Sequence, residues 1–552
     1  MRLDPTGIAG IRDLTAEVRR RVARDPEAVA ATLRRAARGE LPLEPSLTAA
    51  EADYLRNMLG VIAEAGPLSF IESNDSGRSA VFDDEPLADA DWDPMVVASS
   101  DVGSALNPRE IPEHLRARLG VLLLSYLCYD DFRLPHTGTG GHRDCDDILE
   151  RTKAVYRMWF NQLTVAEPGS GLEQYFADQR LDFPTVDVAD LPSLSLSCAG
   201  DLLAVDVLVP ESTTHLFDGI ADFYSTADIV SANLESVVDS TQLIGRYESV
   251  GRAARMNTSP EMVERFVEGG GITFVSTATD HAMDWGEHGV LATLDVLRDA
   301  GLAHAGTAAT ACEQDRVVLS EHDGIKVALL AFTFGVNDNA VPDDKPYLVD
   351  VVRFNDVDPA LDLALVRRQV EAARAAGADY IIAYCHWGWE FETYTHQVTV
   401  DAAHAVIDCG VDTIIGNHAH VAQPMERVVR EGRPDGLIVY ALGGFVSYHP
   451  ESRNSALALT VRFDLVRHDD GGDSGDGTVY LANLRVLPIY LHHTELPGGD
   501  FDSRILRFAD VCEDPDRFGL TEAEQTHLPY LKDELLRGRV LPAVVPEGLL
   551  AR

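Results

Sequence analysis

From Leu194 onward the chain alternates short apolar runs rich in Val and Ile with helical stretches, and this alternation constrains the fold more than any other feature. The runs are SLSLSCAGDLLA, ADIVSANLE, GITFVSTATDH, GIKVALLAFTFG, DYIIAYCHWGWE, VDTIIGNHAHV and GLIVYALGGFVS; between them lie HGVLATLDVLRDAG and the stretches 359–376 and 400–409 with helical periodicity. Short apolar runs followed by helices are strands buried on both faces in β-α-β units. The pattern therefore predicts an α/β domain over 194–455. Two long alternating runs follow, ALALTVRFDLV and GTVYLANLRVLPIYL, joined by the hydrophilic HDDGGDSGDG. They read as a hairpin that, with a closing helix in TEAEQTHLPYLKDELLRG, makes 456–552 an extension completing the α/β domain.

Residues 1–190 have a different rhythm. Leu14, Val18, Val22 and Val29 to Leu33, then the stretches 49–65, 115–127 and 148–163, carry apolar residues at helical spacing. This predicts a separate, mainly helical N-terminal domain, interrupted by the acidic loop FDDEPLADADWDPM. Its periodic faces suit a lid over a site in the second domain, or the pairing of two chains into a homo-oligomer, with Trp92 gaining most by packing against another surface.

Composition narrows the function. With 89 Asp plus Glu against 46 Lys plus Arg, the formal charge is −43. Nucleic acids and anionic membranes are bound mostly through Lys and Arg, so neither is expected as a partner. A small anionic substrate remains open if a metal supplies local positive charge. The N-terminus lacks the apolar core of a secretory signal and no apolar run reaches bilayer length, which places the protein in the cytoplasm. Seven cysteines occur without a C-x-x-C pair, which argues against a disulfide framework or zinc ribbon.

Chemistry-bearing residues collect at the ends of the apolar runs. Asp201 ends the first; Asn233 and Glu235 close the second; Asp280, His281 and Asp284 follow the third; His386 and Glu390 follow another; His418 and His420 follow one more. Five strand ends thus deliver carboxylates and imidazoles to one edge of a sheet, where open α/β folds place their ligands. One Asp after a strand is ordinarily a helix cap and one His a structural residue, but the whole set has no such reading. His418 and His420, around a tight loop, can face two adjacent metal positions. Asp201 and Glu235 add hard oxygen donors, a mixture suited to Mn, Fe or Zn. Asn233, Arg246, Trp387 and Glu390 border the set and are the candidates for substrate contact. His136, His142 and Cys145 in HTGTGGHRDC read as a glycine-rich loop rather than a zinc site, since a fourth ligand is missing at short spacing.

The order GD…NLE…DHAMDWG…HWGWE…GNHAHVAQPME…YALGGF resembles the CapA-type proteins of capsule and poly-γ-glutamate biosynthesis, relatives of the calcineurin-like metallophosphoesterases. The resemblance implies a four-layer α/β/β/α sandwich with two divalent metal ions at the strand ends. Asp201 matches the first Asp of the pattern, Glu235 the acid that bridges the ions, and His386, His418 and His420 the imidazole ligands. Asp280 stands in place of an Asn and keeps an oxygen donor. His281 after it becomes the candidate general acid, with Asp284 beside it as the second catalytic candidate. Leu203 stands where metallophosphoesterases usually carry another His. Asp201, Glu235 and His420 would hold one ion, and Glu235, Asp280, His386 and His418 the other. The expected activity is a metal-dependent hydrolase acting on a phosphoester or a γ-glutamyl-type amide, in a small molecule or a polyanionic glutamyl polymer. The alternative is a non-catalytic scaffold or polymer-handling subunit of such a pathway.

Overall fold

The computed structural model describes residues 18–41, 49–68, 121–135, 148–160, 162–247, 253–356, 361–450, 452–468 and 477–551. The loop around Trp92, the stretch with His136, His142 and Cys145, and the segment 248–252 lie outside them. The chain divides into two compact units, one of residues 1–136, 143–163 and 249–252, the other of 137–142, 164–248 and 253–552.

In the first unit, Asp25 caps the helix Pro26–Ala37 by accepting the Ala28 amide at 2.9 Å, and Pro26 needs no partner in the first turn. Ala30, Leu33 and Ala36 fall on one side of this helix and turn inward, where it packs against the helix Ala49–Ala65. Tyr126, Phe132, Tyr156 and Trp159 complete the same core. Among the described residues no helix is long and apolar enough to cross a membrane.

The second unit is mixed α/β. Its strands are β1 (Ser193–Leu202), β2 (Ile229–Leu234), β3 (Gly245–Tyr247), β4 (Arg255–Asn257), β5 (Phe274–Ser276), β6 (Ala303–Ala305), β7 (Val318–His322) and β8 (Ile325–Thr333). They continue with β9 (Tyr380–His386), β10 (Thr413–Asn417), β11 (Met425–Val428), β12 (Gly436–Val439), β13 (Gly444–Val446), β14 (Leu457–His468), β15 (Thr478–Glu495) and β16 (Phe501–Arg507). One sheet runs β16-β15-β14-β1-β2-β5-β6, with β13 also paired to β1; the other runs β11-β12-β10-β9-β8-β7. The expected hairpin is β14–β15, and it extends the first sheet antiparallel beside β1. The helices Glu522–Pro529 and Tyr530–Val540 follow near the C-terminus.

Strand alternation sorts side chains into cores. Ile229 of β2 and Tyr380, Ile382 and Tyr384 of β9 enter one core that both sheets share, together with Leu196, Cys198, Leu329 and Ile415. The intervening Ile381, Ala383 and Cys385 turn to the other face of their sheet, toward Val366, Val370, Val400 and Val406 of the helices Ala364–Ala375 and Gln397–Asp408. Val230, Ala232 and Leu234 do the same on the first sheet, toward Met262 and Phe266. Between the sheets the Tyr384 hydroxyl donates to Ser231 Oγ at 2.7 Å.

The five site-bearing strand ends do not share one sheet edge, as the sequence suggested. The ends of β1, β2 and β5 belong to one sheet and those of β9 and β10 to the other. Runs buried on both faces look alike in sequence, so nothing local tells which sheet a strand joins.

Candidate metal centre

Parity along the strands brings the side chains together. On β2, Ser231, Asn233 and then Glu235 follow Ile229 at two-residue steps and face the other sheet; on β9, His386 follows Tyr380, Ile382 and Tyr384 in the same way. Asp201 needs a correction to this rhythm. It lies three residues beyond Cys198, so strict alternation would turn it toward the helices. The pairing of β1 with β2 is irregular between Cys198 and Asp201, and this resets the parity. The chain passes close to its neighbour here: the Asp201 amide donates to the Gly443 carbonyl at 3.1 Å, and a Cβ on Gly200 would overlap that carbonyl.

Two groups result. Asp201, Glu235 and His420 form one; Glu235, Asp280, His386 and His418 form the other; within each, the ligand-type atoms lie within 4.8 Å of one another. All six residues are buried. His420 places Nδ1 3.2 Å from Asp201 and Nε2 3.4 Å from Glu235. His386 Nε2 lies 3.0 Å from Asp280 and 3.5 Å from Glu235, and His418 Nδ1 3.8 Å from Asp280. His418 and His420 both have left-handed backbones, with φ of 92° and 55°, a strain that non-glycine residues adopt mainly where the surroundings impose it.

The electrostatics separate the carboxylates. Burial, with the charges of Asp201 and Asp280, pushes Glu235 well above the usual range. Burial also works against Asp280, but the imidazoles of His281, His418 and His386 outweigh it and hold that residue well below its ordinary value. Asp201 Oδ2, both oxygens of Glu235 and Nδ1 of His420 are buried without a hydrogen-bond partner among the described residues. Mutually repelling carboxylates with bare lone pairs beside imidazole nitrogens are what a pair of divalent cations neutralises, so the donor set fits the implied ions.

The remaining candidates fall in different places. Asn233 is in the centre but does not face outward: its Nδ2 donates to Asp201 at 2.8 Å and lies 3.2 Å from His386 Nδ1, and its Oδ1 accepts from Ser276. It orients two of the metal-type residues. His281 borders the second group, with Nδ1 2.8 Å from Asp284, whose Oδ2 also accepts the Met256 amide at 2.7 Å. Arg246 pairs with Asp206 at 3.0 Å. Trp387 does not face the metal-type groups. One residue beyond His386, it turns to the opposite face, where it is 1% exposed and its indole donates to the Tyr440 carbonyl. Glu390 sits half-buried in the turn that follows. Sequence reasoning passed over His449, whose ring lies 5.2 Å from His420, and Phe334, 4.7 Å from His418. His449 sits after β13, a short strand with no charged residue to flag it.

Residues 195–449 match the bacterial capsule synthesis protein family PGA_cap, part of the metallophosphoesterase-like superfamily. Over these residues the chain is similar to CapA-type proteins. Over 271 residues it is 24% identical to the capsule biosynthesis protein CapA of Bacillus anthracis, covering 48% of this chain and 62% of that protein. Over 319 residues it is 24% identical to the PGA biosynthesis protein CapA of Bacillus subtilis, covering 57% of this chain and 76% of that one. A probable polyglutamine synthesis accessory protein of Mycobacterium tuberculosis is 30% identical over 234 residues, 40% of this chain and 56% of the relative. The matched residues span both metal-type groups, and the chain matches a little over half of the Mycobacterium relative's length.

Proposed function

We propose that the protein is a metal-dependent hydrolase of a poly-γ-glutamate or capsule-type pathway, cleaving a phosphoester or a γ-glutamyl-type amide. The observation that carries this reading is the sharing of Glu235 between two buried groups of ligand-type side chains. Asp201, Glu235 and His420 would hold one divalent ion, and Glu235, Asp280, His386 and His418 the other. Bound there, such a pair acidifies water and offsets charge that develops on oxygen. The protein's own residues do the rest. Asn233 fixes Asp201 and His386 through one amide. Asp284 pairs with Nδ1 of His281, which would hand a proton to a leaving group. The two sheets packed through one shared core, with helices on their outer faces, support a four-layer α/β/β/α sandwich as the frame.

A specific observation favours a second reading, a non-catalytic scaffold: Leu203 occupies the place of a further His, leaving the Asp201 group with three members. Protein purified without chelator should carry about two equivalents of Mn, Fe, Zn or Co, reduced by His418→Ala. Metal content that is low and indifferent to that substitution sinks the dinuclear centre. A panel of para-nitrophenyl phosphate, its diester and γ-glutamyl amides with added Mn then separates the chemistries, and metal-stabilised protein inert on all of them supports the scaffold.

A further inference from the structure

Among the described residues of the second unit, four asparagines are at most 1% exposed: Asn233, Asn257, Asn355 and Asn417. An amide taken out of water must find partners at both its oxygen and its nitrogen. Three of them do. Asn233 bonds Asp201 and Ser276. Asn257 accepts the Asp239 amide and donates to the carbonyls of Asp239 and Leu243. Asn355 exchanges a pair of bonds with the backbone of Gly388. Asn417 has neither: its Oδ1 and Nδ2 are both buried and without a hydrogen-bond partner among the described residues.

The direction of this bare amide follows from β10. Ile415 enters the core shared by the two sheets and Ile414 the helix-side core. Asn417 lies two residues beyond Ile415 and in register with His386 on the neighbouring parallel strand. It therefore leaves the sheet on the same face as the His386 imidazole, immediately before His418. The unpartnered amide is on the metal-type side of the strand.

We infer that Oδ1 of Asn417 is a further ligand of the divalent ion held by Glu235, Asp280, His386 and His418, an inference that rests on the metal-dependent reading above. A neutral amide oxygen is a hard donor that adds coordination without adding charge. That distinction matters where three carboxyl side chains, Asp201, Glu235 and Asp280, are already buried together. The ion in turn supplies the partner that the buried carbonyl lacks. The strand tip then contributes two consecutive residues, Asn417 and His418, to one ion.

The test compares the full chain with Asn417→Leu and Asn417→Asp by Mn²⁺ titration calorimetry and by thermal melting with and without Mn²⁺. Asn417→Leu removes the bare amide at similar volume, so it should melt higher than wild type without metal. It should also bind Mn²⁺ about tenfold or more weakly and gain less stability from it. Asn417→Asp keeps an oxygen donor and should retain wild-type stoichiometry. Wild-type Mn²⁺ affinity in Asn417→Leu, or an equal melting shift with and without metal, overturns the inference and leaves the metal-dependent reading standing. A wild-type protein that binds no Mn²⁺ overturns both.

Discussion

Glu235 belongs to both metal-type groups, and its two oxygens are buried without hydrogen bonds between Asp201 and Asp280. Without a cation, burial and the neighbouring carboxylates disfavour its negative charge. Glu235→Gln imitates the protonated acid, and it should make the metal-free protein more stable, while weakening Mn²⁺ binding by about a hundredfold. Denaturant titration with EDTA, set beside metal titration, checks both halves; a loss of stability in EDTA would show that the carboxylates are held by something other than a missing cation. The site was legible in sequence where a charged side chain or an imidazole directly follows a long buried run, because such a side chain there has few structural uses; His449, after the short β13, was not. Asn233 was legible as a neighbour but not as the bridge between Asp201 and His386, since hydrogen-bond geometry across two sheets leaves no local pattern. Asn417 was hidden for a related reason: a neutral amide inside a block already explained by its histidines draws no notice.

The turn that links β9 to the helix Gln397–Asp408 is tied down at both ends. The Phe391 amide donates to the Ala419 carbonyl at 2.8 Å, and His396 sits between Glu392 at 2.8 Å and Glu167 at 3.3 Å, stacked on Trp389. Burial alone would lower the pKa of His396, but the two carboxylates outweigh it and raise it from 6.5 to about 9. A group raised in the folded state contributes its full stabilisation below its unfolded value and loses it as pH climbs through the folded one. The clamp should therefore be worth up to about 3 kcal/mol below pH 6.5 and fade as pH rises through about 9. In melting curves across that window, the gap between wild type and His396→Gln should narrow with rising pH; a constant gap would mean that His396 packs but does not pair. The elements themselves were largely readable, because β2, β9 and β10 are apolar runs of strand length. Three features were not. The parity reset before Asp201 depends on the close approach of Gly200 to Gly443, two distant glycines whose contact only the folded sheet reveals. The assignment of β9 and β10 to a second sheet rests on long-range pairing, and β16, with Asp502, Arg504 and Arg507 along it, lacks a continuous apolar signature.

The whole chain is organised so that residues 164–190 belong to the second compact unit. Leu172 and Phe176 are buried in its helix-side core and Leu181 in the core between its sheets, the Tyr175 hydroxyl donates to Glu426 at 2.6 Å, and Asn483 exchanges bonds with the backbone of Val186. A fragment starting at Thr164 should fold and bind Mn²⁺ like the full chain, whereas one starting at Leu191 should lose about 5 kcal/mol or more from those three side chains alone. Solubility and denaturant midpoints of the two fragments decide this, and equal behaviour would make the strap dispensable. The hydrogen bond from Tyr384 to Ser231 has a reach of its own. These residues lie one pleat beneath His386 and Asn233, on strands of opposite sheets, so the bond acts as a spacer whose length is copied upward through that pair into the gap between the ligands His386 and Glu235. An ion held across that gap is a rivet through a seam, and its grip depends on how well the seam is aligned below. Tyr384→Phe, which touches no ligand, should weaken Mn²⁺ binding severalfold at nearly unchanged melting temperature, and metal affinity in this fold then becomes a caliper for the registration of one sheet against the other.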